Sequence, residues 1–472
     1  MKRRDFFRNT SVAALTASIL SPFELLALGK GNRIKANGRT AKNIIFMVSD
    51  GMSIGTLTMA GLMLERKEGR KSNWLKLYER QENVRRALMD TASASSLVTD
   101  SAAASSSWGC GFRVNNGSLN VSPDGTLHKP ILQKFKAAGK SVGCVTSVPV
   151  THATPAGFCI NNNKRGDQGE IALQYLPLKF DVMLGGGEEF FSADKRKDKQ
   201  DVFGMFARDG YHVIRTRNEL QQTGPGAAQP VLGVFHEAGL PYELDRQQDK
   251  SLMERVPSLA EMTAQAISIL KKNSKGFVMQ VEGGKVDWAA HANDAAALIY
   301  DQIAFDDAVK VALDFAEKDK ETLVIITTDH GNANPGLFSG DDASANFDKL
   351  QRFKHTNDWV LRNINSSFTA SSVKELIEAA QGIVITNEEA SSLLQHFAGK
   401  DESGIYNPEK LPFRELAYIQ KRYTNIGWGS MDHSGDYVEL AMAGPGSELL
   451  KPFVKNIELH YLMLAAAGVG KS

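Results

Sequence analysis

Short, continuously apolar runs recur along the chain, with helical patterns between several of them. The runs occupy residues 43–48, 141–146, 181–184, 277–281, 322–327 and 437–441. Such runs are typical of strands covered on both faces of a sheet. Helical patterns occupy residues 130–139, 258–272 and 295–318. Strands that alternate with helices predict an α/β three-layer sandwich, with a mostly parallel central sheet and helices on both faces.

Polar side chains follow four of these runs. Asp50, Glu282 and Asp329 each come just after an apolar run, and the segment 151–155 follows another. In such sheets the ligand site lies beyond the carboxyl ends of the strands. Acids and histidines that converge there would repel or stay unpaired without a cation. The pattern therefore predicts a metal site at this edge.

Asp287 and His291 strengthen that prediction. They are four residues apart, so on a helix they share one face. A carboxylate and an imidazole presented together suit Zn²⁺ or a similar divalent ion. Glu282 lies across a Gly-Gly turn, close enough to serve a neighbouring ion. A surface hydrogen bond between Asp287 and His291 is the alternative interpretation.

Ser101 is predicted to stand at or near the start of a helix of small residues. Helix N-termini attract anions, because free N–H groups and the macrodipole point there. Ser101 is therefore either a simple N-cap or a nucleophile beside a bound anion. No neighbouring histidine in the sequence is available as its base, and a bound Zn²⁺ would remove the need for one.

Length and charge restrict the remaining possibilities. The 472 residues suit one large domain with insertions, or two domains. The formal net charge of +1 provides no global field that would draw nucleic acid or anionic lipid. Cys110, Cys144 and Cys159 are odd in number and irregularly spaced, so we expect buried thiols rather than a disulfide framework.

Residues 1–29 read as a Tat-type signal peptide. Arg3 and Arg4 precede a modest apolar run that ends near Leu28. Ser21 and Pro22 interrupt the run, which is therefore poor for a membrane span. The expected location of the protein is periplasmic or extracellular, with the folded domain at residues 40–472.

The segment 337–429 differs from the rest of the chain. It is polar and mixed in charge, with helical patterns at residues 371–380 and 387–397. It separates Asp329 and His330 from His433. We expect an insertion packed on the carboxyl edge of the sheet, near the site, with a decorated loop as the alternative. Two shorter charged segments, 194–201 and 245–250, are predicted to be loops.

The combined motifs resemble those of alkaline phosphatases, over most of the chain from Asn43 onward. The motifs are Val48 to Met52, Thr99 to Ala103, Thr151 to Pro155, Glu282 with Asp287 and His291, Asp329 to Gly331, and Asp432 to Gly435. Each is short, but their order and mutual spacing are specific together. The resemblance implies a phosphomonoesterase that acts on small substrates. Dimers are common in that family, so a homodimer is an expectation as well.

The resemblance also implies a role for each site residue. A first zinc would be held by Asp287, His291 and His433, and a second by Asp50, Asp329 and His330. A third ion, usually magnesium, would be held by Asp50, Thr154 and Glu282. Ser101 would be the nucleophile and form a phosphoserine. Arg165 would bind the phosphate and Asp100 would orient it, with Lys164 as the competing candidate for the phosphate contact.

Two positions depart from a common family pattern. Some members carry an Asp at position 152 and a Lys at position 288, where this chain has His152 and Trp288. Because a hard cation prefers oxygen ligands, losing an acid there weakens the expectation of magnesium at the third site. His152 would act through a water, or let zinc compete.

Two other functions remain to be distinguished. One is a related enzyme on the same fold: a phosphodiesterase, sulfatase or phosphomutase. A sulfatase would need a Cys/Ser-x-Pro-x-Arg sequence, which residues 99–105 lack. The other is a phosphate- or metal-binding protein with an inactive site. The presence of all the expected ligands and of the nucleophile argues against it.

Overall fold

The computed structural model describes residues 40–470, apart from residues 81, 225–228, 341, 366, 400–403 and 405. The predicted signal peptide at residues 1–29 lies outside this part of the chain. None of the helices in the described part combines the length and hydropathy that crossing a bilayer requires.

A large central sheet contains ten of the strands in the described residues. They are β1 (Asn43–Val48), β2 (Val84–Asp90), β3 (Ser141–Pro149), β4 (Val182–Gly186), β5 (His212–Ile214), β6 (Val231–Val234), β7 (Phe277–Glu282), β8 (Thr322–Thr327), β13 (Val438–Ala443) and β14 (Phe453–Lys455). Their order is β14-β2-β13-β8-β1-β7-β3-β4-β6-β5. Only the two pairings of β13, with β2 and with β8, are antiparallel. The predicted mostly parallel sheet is confirmed.

Two apolar cores cover the two faces of this sheet. On β1, Ile45 and Met47 belong to one core, whereas Ile44 and Phe46 belong to the other. This alternation follows from the two-residue repeat of a strand. Because both sets of side chains are fully buried, the run from Ile44 to Val48 contains no polar residue.

Helices supply the outer layers. They are α1 (Ile54–Glu68), α2 (Asn73–Lys76), α3 (Ser101–Cys110), α4 (Ile131–Ala137), α5 (Ala153–Cys159), α6 (Gln168–Gln174), α7 (Val202–Arg208), α8 (Arg217–Gln222), α9 (Glu243–Gln248), α10 (Lys250–Arg255), α11 (Leu259–Leu270), α12 (Lys285–His291), α13 (Ala295–Asp319) and α19 (Glu458–Ala466). Side chains of α1, α11 and α13 pack into one core, and those of α3, α4 and α19 into the other. The three-layer sandwich is therefore confirmed.

The segment 337–429 is a helical subregion. Its helices are α14 (Ala343–Asp348), α15 (Asn357–Arg362), α16 (Ala370–Gln381), α17 (Asn387–Gly399) and α18 (Phe413–Thr424). The two ends of the segment are joined by the antiparallel pairing of β10 (Gly336–Leu337) with β11 (Ile426–Gly427). Leu361, Ile377 and Leu416 share the core of α13. The sequence indicated two of these helices and missed the other three.

Another short antiparallel pair joins distant parts of the chain. β9 (Gly331–Asn332) pairs with β12 (His433–Ser434), and Asn332 lies opposite His433. This pairing brings His433 beside the end of β8, although a hundred residues separate them in sequence.

Two smaller predictions have different outcomes. Residues 245–250 lie mostly in α9 and the start of α10, so the predicted loop there was wrong. Asp249 accepts hydrogen bonds from the backbone of Ser251 and Leu252, which starts α10. The three cysteines are buried free thiols, as expected.

Candidate metal centre

The site begins where three adjacent strands end. β1 lies between β8 and β7 in the sheet, so Asp50, Asp329 and Glu282 emerge side by side. All three side chains are fully buried. Asp287 can pack against the backbone beside Asp50 because residue 51 is glycine. Gly51 has φ of 67°, and a Cβ there would lie 2.4 Å from Asp287 Oδ1.

His291 and His433 face each other across the site. The Nδ1 of His291 donates to the carbonyl of Met431 at 2.7 Å, and the Nδ1 of His433 donates to that of Thr99 at 2.8 Å. Carbonyl oxygens only accept, so each Nδ1 carries a proton. Each neutral ring then presents the lone pair of Nε2, and these two atoms are 3.1 Å apart. Two facing lone pairs repel each other unless a cation or a proton lies with them.

His330 is arranged in the same way on the other side. Its Nε2 lies 3.2 Å from Asp329 Oδ2 and 3.6 Å from Asp50 Oδ1. The ring stacks on that of His433, with 3.7 Å between centroids. Ser101 Oγ is 3.3 Å from the same Nε2. The sequence offered no histidine near Ser101, and the fold supplies one from 229 residues away.

Five buried polar atoms without a hydrogen-bond partner converge on this region. They are Asp50 Oδ1, His152 Nδ1, Glu282 Oε1, Asp287 Oδ2 and Asp329 Oδ2. Among the described residues, three groups of candidate ligands have their ligand atoms within 4.8 Å of one another: Asp287 with His291 and His433, Asp50 with Asp287 and His330, and Asp50 with His152 and Glu282. Leaving one such group unpaired costs about 1–3 kcal/mol or more, so the donor set fits cations.

The electrostatics of these side chains agree with that fit. Burial, and then the charges of Asp329, Asp287 and Glu282, raise the pKa of Asp50 well above its usual value. Burial disfavours the charged form of His433, but the carboxylate of Asp287, 3.6 Å from its Nε2, raises the pKa of His433 to about 8. Asp50 and His433 therefore bind protons more readily than usual, at the place where a cation would balance the buried carboxylate charge.

Ser101 is the first residue of α3, and Asp100 is the N-cap. The Asp100 carboxylate accepts from the backbone N–H of Ala103 through Oδ1 and from that of Gly117 through Oδ2, both at 2.9 Å. Ser101 is thus free of the capping role that its position allowed, and its hydroxyl points into the site. The capped helix end directs its N–H groups and positive dipole towards the same place.

Arg165 reaches the site, and Lys164 does not. The Nη1 of Arg165 donates to Asp100 Oδ2 at 3.1 Å. Arg165, Asp100 and His433 line a cavity of about 500 Å³ beside the candidate ligands, and Lys164 is an exposed residue outside that lining. A guanidinium there can bind two oxygens of one anion as a fork.

Thr154, His152 and Trp288 lie on the side of Glu282. The Thr154 hydroxyl donates to Asp50 Oδ2 at 3.2 Å. The Nδ1 of His152 lies 3.8 Å from Glu282 Oε1. The ring of Trp288 stands 6.2 Å from that of His152 and stacks on Tyr406 at 4.7 Å. The structure thus brings every predicted site residue into one region.

Two residues of this region were missed from the sequence. The Nδ2 of Asn332 donates to Asp287 Oδ1 at 2.7 Å and fixes that carboxylate. Asn332 closely follows Asp329 and His330, and this proximity was a usable signal. Tyr406 lies in the polar segment 337–429, where no pattern distinguished it.

Comparisons with known proteins agree with this geometry. A family model described as alkaline phosphatase matches residues 41–469. Alkaline phosphatase 4 of Bacillus subtilis (strain 168) is 31% identical over the full length of both chains. Alkaline phosphatase 3 of the same organism is 29% identical over 94% of this chain and 95% of its own.

A solved structure extends the likeness to three dimensions. The alkaline phosphatase of Thermus thermophilus superposes with a TM-score of 0.84 at 34% identity, covering 93% of each chain.

Proposed function

The chain belongs to the alkaline phosphatase family and is a metal-dependent hydrolase of phosphate monoesters, and we propose that Ser101 is its nucleophile in a site for two Zn²⁺ ions and one Mg²⁺ ion. One observation supports this proposal most directly. Buried carboxylate oxygens without partners and the Nε2 lone pairs of three histidines converge beside the Ser101 hydroxyl.

The donor types favour two zinc sites. Asp287, His291 and His433 would hold one ion, and Asp50, Asp329 and His330 the other. Nitrogen and carboxylate donors suit Zn²⁺, and the Nδ1–H contacts of His291 and His433 with carbonyls fix the ligating tautomer. When bound, a pair of ions stabilises the attacking and leaving oxygens of an in-line displacement.

The third site would be held by Asp50, Thr154 and Glu282. These residues offer oxygen donors, which Mg²⁺ prefers. The second oxygen of Glu282 accepts from the Thr146 hydroxyl, so the partnerless Oε1 is oriented towards Asp50 and His152. His152 borders this site and would act through a water.

The residues of the chain then perform the displacement. Arg165 binds two phosphoryl oxygens, and Asp100 orients the guanidinium. Ser101 Oγ attacks phosphorus, so a Ser–O–P bond forms as the bond to the leaving alcohol breaks. A water then attacks the phosphoserine, which releases inorganic phosphate and restores the serine. The N-terminus of α3 favours the negative charge of the phosphoryl group throughout.

The location and assembly of the protein are part of the proposal. The twin arginines and apolar run of residues 1–29 support Tat export to the periplasm or beyond. Dimerisation in the resembled family supports a homodimer. Cell fractionation tests the first point, and light scattering during gel filtration tests the second.

A paired substitution tests the nucleophile. Ser101→Ala should lower turnover of an aryl phosphate at alkaline pH by at least about 10⁴-fold, since no other hydroxyl replaces the lost bond-forming atom. Ser107→Ala is the matched control, because this buried serine of the same helix bonds only to the Ala103 carbonyl. Its turnover should stay within about twofold of wild type.

Acid quenching during turnover should trap a phosphoryl group on the Ser101 peptide of wild type. Full activity in Ser101→Ala would contradict the assignment. A higher rate with a bis-aryl phosphate than with the monoester would instead favour a phosphodiesterase.

A further inference from the structure

Tyr406 brings an aromatic side chain of the segment 337–429 to the mouth of the catalytic cavity. It lines that cavity together with Arg165 and His291, and 38% of the residue stays exposed. Its φ is 61°, in the left-handed region that a non-glycine residue adopts at a cost of about 1–2 kcal/mol. Such a conformation persists only where the surroundings hold it, and it occurs preferentially at functional sites.

Three rings hold the ring of Tyr406. It stacks on Trp288, with 4.7 Å between centroids and 27° between planes. It meets His291 edge-on at 5.7 Å and His152 at 6.0 Å. These contacts offset the backbone cost and leave the phenol hydroxyl directed towards His152 and Arg165.

The hydroxyl completes a closed set of hydrogen bonds. Arg165 Nη2 lies 3.1 Å from His152 Nε2 and 3.3 Å from the Tyr406 hydroxyl oxygen, and that oxygen lies 2.8 Å from the same Nε2. A guanidinium has only donors, so Arg165 donates in both contacts. His152 Nε2 must then accept, and its single lone pair is shared between Arg165 and the phenol O–H.

This arrangement fixes Arg165 from both ends. Asp100 holds Nη1, while Tyr406 and His152 hold Nη2. The two acceptors of Nη2 lie only 2.8 Å from each other, so one Nη2 hydrogen can serve both. The other Nη2 hydrogen and the second hydrogen of Nη1 then remain for the oxygens of an anion. A guanidinium whose rotation is already restricted loses less conformational entropy when it binds an anion.

We propose that Tyr406 is a positioning residue for phosphate recognition, which holds the Arg165 guanidinium in its binding orientation through its hydroxyl. This inference rests on the proposed role of Arg165. Tyr406 acts on how tightly the phosphoryl group is bound, and the displacement at phosphorus is left to Ser101 and the metal site.

Tyr406→Phe tests the hydroxyl alone, because the variant keeps the ring stacked on Trp288. Binding of inorganic phosphate, measured by titration calorimetry on metal-loaded protein, should weaken about 3- to 10-fold. The reason is that Arg165 loses its hydrogen bond to the Tyr406 hydroxyl and is held less firmly in its binding orientation. The KM for an aryl phosphate should rise by a similar factor, while kcat stays within about twofold.

Tyr418→Phe is the matched control. Tyr418 is 62% exposed on α18 of the same segment and stacks with Arg422. Its phosphate affinity and KM should equal those of wild type. Thermal unfolding of both variants should occur within about 2 °C of wild type, which separates positioning from general destabilisation.

A double-mutant cycle completes the test. If Tyr406 acts through Arg165, the loss caused by Tyr406→Phe should disappear in an Arg165→Ala background. Unchanged phosphate affinity in Tyr406→Phe, or an undiminished loss in the Arg165→Ala background, would overturn the inference. If Arg165→Ala itself binds phosphate as wild type does, the proposed role of Arg165 fails first, and the inference fails with it.

Discussion

The region where α19 contacts α3 and the metal centre both bury histidines, but the partners of Nε2 differ between the two regions. In the first region, Nδ1 of His460 donates to the Trp108 carbonyl at 2.8 Å, and Nε2 accepts from the Lys134 ammonium at 2.9 Å. Both ring nitrogens are satisfied by the protein itself. His460 therefore needs no ligand, although it is fully buried.

In the metal centre, Nδ1 of His291 and of His433 also donates to a carbonyl. The difference is that the two Nε2 atoms face each other and the oxygens of Asp287. Burial and a fixed tautomer are thus common to both regions. The lone pair without a donor is what distinguishes a ligand from a core histidine.

Removing the metals should give the largest effect. A strong chelator should abolish phosphatase activity and lower the free energy of unfolding by about 4 kcal/mol for each ion present at 1,000 times its Kd. Added Zn²⁺ and Mg²⁺ should restore both properties. The measurement is activity together with thermal unfolding before and after chelation. If the chelated protein stays active and equally stable, the polar side chains of the centre are satisfied without ions, as those around His460 are.

Asp287→Asn should lower kcat/KM by about 10³-fold or more, since one zinc loses its carboxylate ligand. The bound metal, measured by elemental analysis, should fall by about one ion per chain. In chelator, the variant should be no less stable than wild type, because its amide oxygen can still accept from Asn332 Nδ2 and the charge repulsion with Asp50 and Asp329 is removed. Asp314→Asn, at an exposed position of α13, is the control and should keep its activity and metal. Loss of stability in chelator without loss of metal would assign Asp287 a structural role.

The amide cluster of the segment 337–429 offers the opposite case. Gln420 donates to Asn357 Oδ1 and to Gln381 Oε1, and accepts from Asn357 Nδ2. Gln420→Ala should lower the free energy of unfolding by about 3 kcal/mol, since it leaves buried amides unpaired and opens a cavity. The loss should be the same with and without chelator. Urea unfolding measures it, with the exposed Gln395→Ala as control. A loss confined to the metal-loaded protein would tie this cluster to the site.

The smallest expected effect is a pH dependence of the free energy of unfolding, caused by His460. Burial and the Lys134 charge lower the pKa of His460 to about 3. The unfolded chain protonates near pH 6.5, so the stability contributed by neutral His460 is present above that pH and falls towards pH 3. Glutamine cannot be protonated. The stability difference between wild type and His460→Gln should therefore shrink by about 2 kcal/mol from pH 7 to pH 5.

Urea unfolding of both proteins at the two pH values measures this change. Other groups, including the nearby His128, titrate in both proteins and cancel. A stability difference that stays constant with pH would mean that the folded protein accepts a proton on His460.

The sequence predicted the central strands well for a physical reason. β1 and β8 match the predicted runs 43–48 and 322–327 to the residue, because strands buried on both faces form nearly continuous apolar runs. β2 was missed because its buried and exposed residues do not alternate regularly, and the adjacent Arg85 and Arg86 are both exposed in a short segment. β5 has only three residues, too few for any periodic signal.

The site was predictable in its residue types but not in its assembly. Strand ends marked Asp50, Glu282 and Asp329 as neighbours, yet the sequence alone does not give the order β8-β1-β7. The β9–β12 pairing that delivers His433 depends on two residues per strand. Tyr406 is a single residue in a polar segment, and no sequence pattern marks it. The packing of its ring on Trp288 is what identifies it as part of the site.

Anomalous scattering from crystals of the zinc-loaded protein tests the central claim most directly. The account predicts two strong peaks at the zinc absorption edge, one enclosed by Asp287, His291 and His433 and the other by Asp50, Asp329 and His330. The absence of anomalous density at both places in a catalytically active crystal would contradict it.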